Sequence, residues 1–158
     1  MRRNLLMASL AACCIMVVSS SAVLAADNWL GSWKLDVAKS KYSPGPAPKS
    51  FALKFEATPD GTRLTSDGVG ADGKAIHTMY VSKFDGKDVP WEGNADADTA
   101  APKKVDDNNY VNTWKKGGKP TMTTNVAVSA DGKTLTVKQT GMNVKGEAVS
   151  ITAVYNKQ

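Results

Sequence analysis

The chain offers little with which to do covalent chemistry. Its 158 residues hold one histidine, His77, and two cysteines, Cys13 and Cys14. A Ser-His-Asp site would have to use that single imidazole, and no nucleophile-elbow pattern accompanies it. Both cysteines lie in an opening segment expected to be removed. Residues 27–158 then carry no thiol, form no disulfide and offer no Cys nucleophile. One imidazole could ligate haem iron, but between Ala75 and Met79 on a strand His77 reads equally well as a wall residue. Glu92, Asp96 and Asp98, with Asn94 among them, set hard oxygens at alternating positions, yet the EF-hand spacing and its terminal Glu are missing. A solvated acidic loop is the better reading. No motif singles out a carboxylate pair for glycoside hydrolysis. The expectation is no enzyme, no metal and no cofactor.

Net charge is scarce as well. Lys plus Arg number 20 against 15 Asp plus Glu, a formal +5. Without Arg2 and Arg3 the counts become 18 and 15, a net of +3. No Lys/Arg stripe with interleaved aromatics stands out, which argues against a nucleic-acid partner. With 42% hydrophobic and 22% charged residues the composition is globular, excluding collagen-like, low-complexity and wholly disordered chains.

What is present begins with an opening segment in three parts. Met1-Arg2-Arg3-Asn4 is basic, residues 5–18 carry no charge, and residues 19–26 (SSSAVLAA) are mostly small before the first acid, Asp27. That layout is a secretory signal peptide with cleavage after Ala25 or Ala26. The uncharged run 5–26 is 22 residues, long enough to span a bilayer. Its Ser/Ala-rich last third favours removal over retention as an anchor. Leu10-Ala11-Ala12-Cys13 resembles a bacterial lipoprotein box, so acylation at Cys13 is the minor alternative. The expectation is a periplasmic or secreted monomer with no stable membrane insertion after cleavage. Residues 27–158 are long enough to form one domain that buries about two-thirds of its chain surface.

Helical periodicity is missing from that domain. Turn signals such as Pro59-Asp60-Gly61, Asp72-Gly73, Asp85-Gly86, Gly117-Gly118 and Asp131-Gly132 cut it into runs of 5–10 residues rich in Thr, Val, Ile, Tyr and Trp. Strands are expected at 29–36, 50–58, 62–69, 74–84, 87–91, 101–106, 109–116, 120–129, 133–141 and 147–156. Met122, Thr124, Val126 and Val128 share one face, as do Phe51, Leu53 and Phe55. The segment 39–50 (KSKYSPGPAPKS) carries three prolines and reads as an extended connector over one barrel end. Residues 91–101 (WEGNADADTAA) read as a loop. Hairpin succession without helical crossovers predicts an all-β, single antiparallel up-and-down barrel of about 8–10 strands.

At the first strand the chain reads Gly31-Ser32-Trp33-Lys34-Leu35. Gly-x-Trp at that place resembles the opening signature of the calycins, the lipocalins and fatty-acid-binding proteins. Thr152-Ala153-Val154-Tyr155-Asn156-Lys157 looks like the closing strand of the ten-stranded fatty-acid-binding branch. Residues 39–46 (KSKYSPGP), 94–99 (NADADT) and Val154-Tyr155 look like a group of exported bacterial lipocalin-like proteins of undefined function. That resemblance spans essentially all of 27–158. It implies a barrel holding a small apolar or amphipathic ligand, with Gly31 and Trp33 as structural signature residues at a closed end. The fatty-acid-binding branch grips a carboxylate with Arg-x-Tyr. Here Tyr155 matches the Tyr but Ala153 stands for the Arg, and Arg63, on an early strand, is the one Arg in 27–158. The bidentate clamp is missing, and the 39–50 connector replaces the helical lid.

Alternation sorts the remaining aromatics. If Tyr155 points inward, so do Ala153, Ile151 and Val149. Trp114, Asn112 and Tyr110 share a face, and so do Tyr80, Thr78, Ser82 and Ile76. The ligand-binding candidates are Tyr80, Tyr110, Trp114, Ile151 and Tyr155. With Ala153 in place of the Arg, none of the inward residues Val149, Ile151, Ala153 and Tyr155 offsets burial of a carboxylate, so a neutral guest should be preferred. The alternative is a barrel packed solid, binding a protein or envelope partner through its outer face or loops.

Overall fold

Runs of β-branched and aromatic residues between tight glycine turns can satisfy their backbone only by pairing with one another. In the computed structural model, which describes residues 27–158, they do so in ten strands, with no helix among the described residues. The strands are β1 (Gly31–Ser43), β2 (Ser50–Thr58), β3 (Gly61–Val69), β4 (Ala75–Ser82), β5 (Val89–Pro90), β6 (Thr99–Lys104), β7 (Asn109–Lys116), β8 (Lys119–Val128), β9 (Thr134–Met142) and β10 (Ala148–Lys157). They form one antiparallel sheet in the order β4-β3-β2-β1-β10-β9-β8-β7-β6-β5. The expected signal peptide, cysteines included, lies outside the described residues.

The two ends of that sheet meet along a seam. Met79 and Glu92 exchange backbone hydrogen bonds at 3.1 and 2.9 Å. Lower down, the Lys104 N–H donates to the Phe84 carbonyl and the Gly86 N–H to the Pro102 carbonyl, each at 2.9 Å. Gly93 makes the upper crossing possible. Its φ is +74°, and a Cβ there would run into the His77 carbonyl oxygen. The result is a nearly closed barrel.

Three boundaries differ from expectation. Lys39 to Ser43 is strand, not connector, so the Pro-rich link shrinks to 44–49. The cause is a bulge between Asp36 and Lys41, after which Tyr42 pairs with Ile151. Within it the Ser40 hydroxyl donates to the Asp36 carbonyl at 2.7 Å and accepts the Val154 N–H at 2.9 Å. It thereby carries the ladder across the extra residues. β6 begins at Thr99, so the 91–101 loop ends sooner than its composition suggests, and β5 is only two residues long.

Inward side chains fill one end completely. Trp29 and Trp33 are both 0% exposed. Trp29 stacks on Phe84 at 5.5 Å between ring centroids, and Tyr110 meets Phe84 edge-on at 4.8 Å. The Trp33 indole N–H donates to the Trp29 carbonyl at 2.7 Å, and the Lys157 ammonium sits 5.0 Å from the Trp33 ring centroid. Gly31, at φ +115°, lets Lys157 pass, since a Cβ would lie 3.3 Å from its Cε. Gly31 and Trp33 thus belong to the closed end.

Candidate functional site

Towards the other end the inward positions change character. Tyr42, Phe51, Ile76, Trp114, Gln139 and Ile151 are only half-buried, and between them and the closed end lies a cavity of about 290 Å³. The interior is therefore not packed solid, and the cavity volume lies near the lower bound for small-molecule sites.

Alternation along the strands places its walls. β7 contributes Tyr110, Asn112 and Trp114, and β4 contributes Ile76, Thr78 and Tyr80. β10 contributes Ile151, Ala153 and Tyr155. All five candidates, Tyr80, Tyr110, Trp114, Ile151 and Tyr155, therefore line this one cavity. Val149, one step further out on β10, does not. Ser82, at the inner end of β4, is buried below the cavity, where its hydroxyl accepts the Phe84 N–H at 3.0 Å.

The lining mixes apolar and polar side chains. Phe51, Leu53, Leu64, Val137, Ile151 and Ala153 are its main apolar contribution from β2, β3, β9 and β10. Asn112 and Thr124 are register partners on β7 and β8, and Thr124 in turn pairs with Gln139 of β9. Trp91 meets Trp114 at 4.5 Å and Tyr80 at 5.2 Å, both edge-on. Five buried polar atoms of the lining residues lack partners: the Tyr80 hydroxyl, the Trp91 and Trp114 indole nitrogens, the Asn112 side-chain oxygen and the Thr124 hydroxyl. Elsewhere among the described residues only the Trp29 indole nitrogen and the Thr99 hydroxyl are in that condition. Each such group costs about 1–3 kcal/mol unless something fills its hydrogen bond. Five of the seven such atoms among the described residues belong to side chains that line this one cavity.

The chain's four tyrosines all line this cavity, and all stay protonated well into alkali. Burial pushes Tyr42 up to about 12. Burial also raises Tyr80, Tyr110 and Tyr155; Tyr110 draws Tyr80 back slightly without meeting it in hydrogen-bond geometry. These phenols remain donors. Among the described residues, no Lys, Arg or His lines the cavity, and Asp96 is its one carboxylate.

Sequence reasoning missed several lining residues. Tyr42 was hidden in the expected connector, and Pro48 of the shortened link also reaches the cavity. Asn94 and Asp96 were assigned to a solvated loop, yet both line the mouth. Gln139 could have been found, since it continues the Leu135 and Val137 face. Asp96 had no periodic signal to reveal it. The other acids of that loop turn elsewhere: Glu92 is exposed, and an Asp98 carboxylate oxygen accepts the Gly117 N–H at 2.9 Å. His77 points outward, its Nδ1 lying 2.6 Å from the Asp67 carboxylate, with both side chains exposed.

No protein-family model and no curated protein matches the chain. Among solved structures it is similar to the zebrafish ileal bile-acid-binding protein, crystallised with cholic acid. The two share 11% identity with a TM-score of 0.50, over 83% of this chain and 99% of that one. At that identity the likeness is one of architecture. Ten antiparallel strands closing nearly on themselves around an internal cavity are the architecture this chain shares with that protein.

Proposed function

We propose that the protein is a non-catalytic binding protein that holds one small apolar or amphipathic molecule non-covalently inside the barrel. The observation that carries this reading is an internal cavity of about 290 Å³ lined by both apolar and hydrogen-bonding side chains, among them Leu53, Leu64, Val137 and Ile151 beside Tyr80, Asn112, Thr124 and Tyr155. A guest with an apolar body and one hydrogen-bonding group would meet both at once. The solved structure of similar fold holds cholic acid, itself a small amphipathic molecule. Tyr80, Tyr110, Trp114, Ile151 and Tyr155 are the proposed contact residues, with Asn112 and Thr124 adding further hydrogen-bonding groups.

Titration with N-phenyl-1-naphthylamine, a neutral apolar dye, tests the reading. Saturable one-to-one binding, weakened by Trp114→Ala and displaced by a long-chain alcohol, is the expected result. Absence of saturable binding by the folded protein would overturn it. The opening segment supports export to the periplasm or beyond, with a mature N-terminus at Ala26 or Asp27. Mass measurement of envelope-located protein checks this: an intact Met1 would sink it, and an acylated Cys13 would select the lipoprotein route.

A further inference from the structure

The one formal charge on the cavity wall is negative. Asp96 sits at the mouth, half-buried, on a loop pinned from several directions. Its N–H donates to the Asn94 side-chain oxygen at 2.9 Å, and its Oδ1 accepts the Val144 N–H at 3.1 Å from the β9–β10 turn. The Thr121 hydroxyl reaches both the Asp96 and the Trp114 carbonyls, at 3.5 and 3.4 Å, which ties the loop to the strand carrying Trp114. Among the described residues no Lys or Arg forms an ion pair with Asp96. Lys145, next to Val144, does not reach it, and Lys115 is engaged by Asp88. Tyr42, Trp91 and Trp114 are among the aromatic residues that line the same cavity. Deeper in, Asn112 is 3% exposed and its side-chain oxygen, an acceptor, is unpartnered.

A fixed carboxylate, acceptor oxygens and aromatic faces form a recognition set for a positive group, and they repel a carboxylate. Resting on the binding function proposed above, we infer that the preferred guest is a cationic amphiphile: an apolar body carrying a protonated amine or quaternary ammonium that Asp96 receives. The apolar lining takes the body and the mouth takes the charge.

Displacement of N-phenyl-1-naphthylamine by decylamine, decanol and decanoate at pH 7, below their micelle concentrations, tests this. Decylamine should displace the dye at a concentration at least tenfold lower than decanol, with decanoate weakest. Asp96→Asn keeps an oxygen for the Val144 N–H and removes the charge. It should bring decylamine to within about threefold of decanol while leaving decanol unchanged, which shows the cavity intact. Glu92→Gln, on the exposed part of the loop, should leave the amine preference as it was. Decanoate competing as well as decylamine, or an amine-to-alcohol ratio unaffected by Asp96→Asn, overturns the inference and leaves the binding function standing. If neither the dye nor decanol binds the wild type, both fall.

Discussion

The two ends of the barrel each hold a pair of tryptophans, and they use them in opposite ways. At the closed end Trp29 and Trp33 are wholly buried, the Trp33 N–H is bonded to the Trp29 carbonyl, and Phe84 and Tyr110 fill the remaining space. At the open end Trp91 and Trp114 meet edge to face, and neither indole N–H has a partner. One pair closes on itself; the other faces a void. Large rings are thus a plug where neighbouring side chains fill the space around them and a wall where a cavity lies beside them, although the Trp29 indole N–H also lacks a partner. Stability should be concentrated at the first end and binding at the second.

The contrast is sharpest at Trp33. Trp33→Ala should lower stability by about 3–5 kcal/mol in chemical denaturation. A loss under about 1 kcal/mol would show that the plug is not what holds the barrel. Gly93→Ala comes next, since it forces φ +74° on a Cβ that meets the His77 carbonyl oxygen beside Trp91. About 1–3 kcal/mol should be lost, with weaker dye binding as the seam shifts. An unchanged midpoint and affinity would show that the open end is not organised by that crossing.

Alkali probes the cavity wall directly. A tyrosine whose pKa is raised by folding is stabilising below its unfolded value near 10, and that stabilisation is lost as pH rises through its folded value. Above pH 10 each buried phenol should lower stability by about 1.4 kcal/mol per pH unit. Tyrosinate absorbance should therefore appear together with unfolding; a smooth titration centred near pH 10 in folded protein would contradict the burial of Tyr80 and Tyr155. Thr124→Val should separate the two ends more finely. Replacing an unpartnered hydroxyl by a methyl should leave stability unchanged or raise it by up to about 1 kcal/mol, while weakening binding of an alcohol relative to its alkane. A clear destabilisation would mean that the hydroxyl already has an internal role. The smallest effect is expected at His77. His77→Ala removes only an exposed pair with Asp67, and should change stability by no more than about 0.5 kcal/mol and dye affinity not at all.

What could be read from the sequence follows the range of the interactions concerned. Hairpins joined by Asp-Gly and Gly-Gly are local, so the ten-strand meander was legible, as was the shared face of Tyr110, Asn112 and Trp114. The onward run of β1 was not. It depends on the Ser40 hydroxyl reaching Val154, 114 residues away, and three nearby prolines pointed to a connector. Asp96 was read as solvated for a similar reason. Its position depends on Val144, 48 residues later, and its loop has no period that could aim a side chain. The clustering of unpartnered polar atoms was also out of reach, because it depends on which strands end up facing each other across the barrel.

The pairing of β1 with β10 has a consequence for timing. The first strand finds its second neighbour in Ala148–Lys157, the last of the ten described strands. Until the two strands meet, Leu35 and Tyr42 lack the Tyr155 and Ile151 they pair with, and the cylinder stays an open ribbon. Ring closure therefore spans nearly the whole described chain, the kind of distant contact that makes β-proteins fold in milliseconds to seconds rather than microseconds. Local hairpins can form early in folding, but the structure becomes a container only once its first and tenth strands have met.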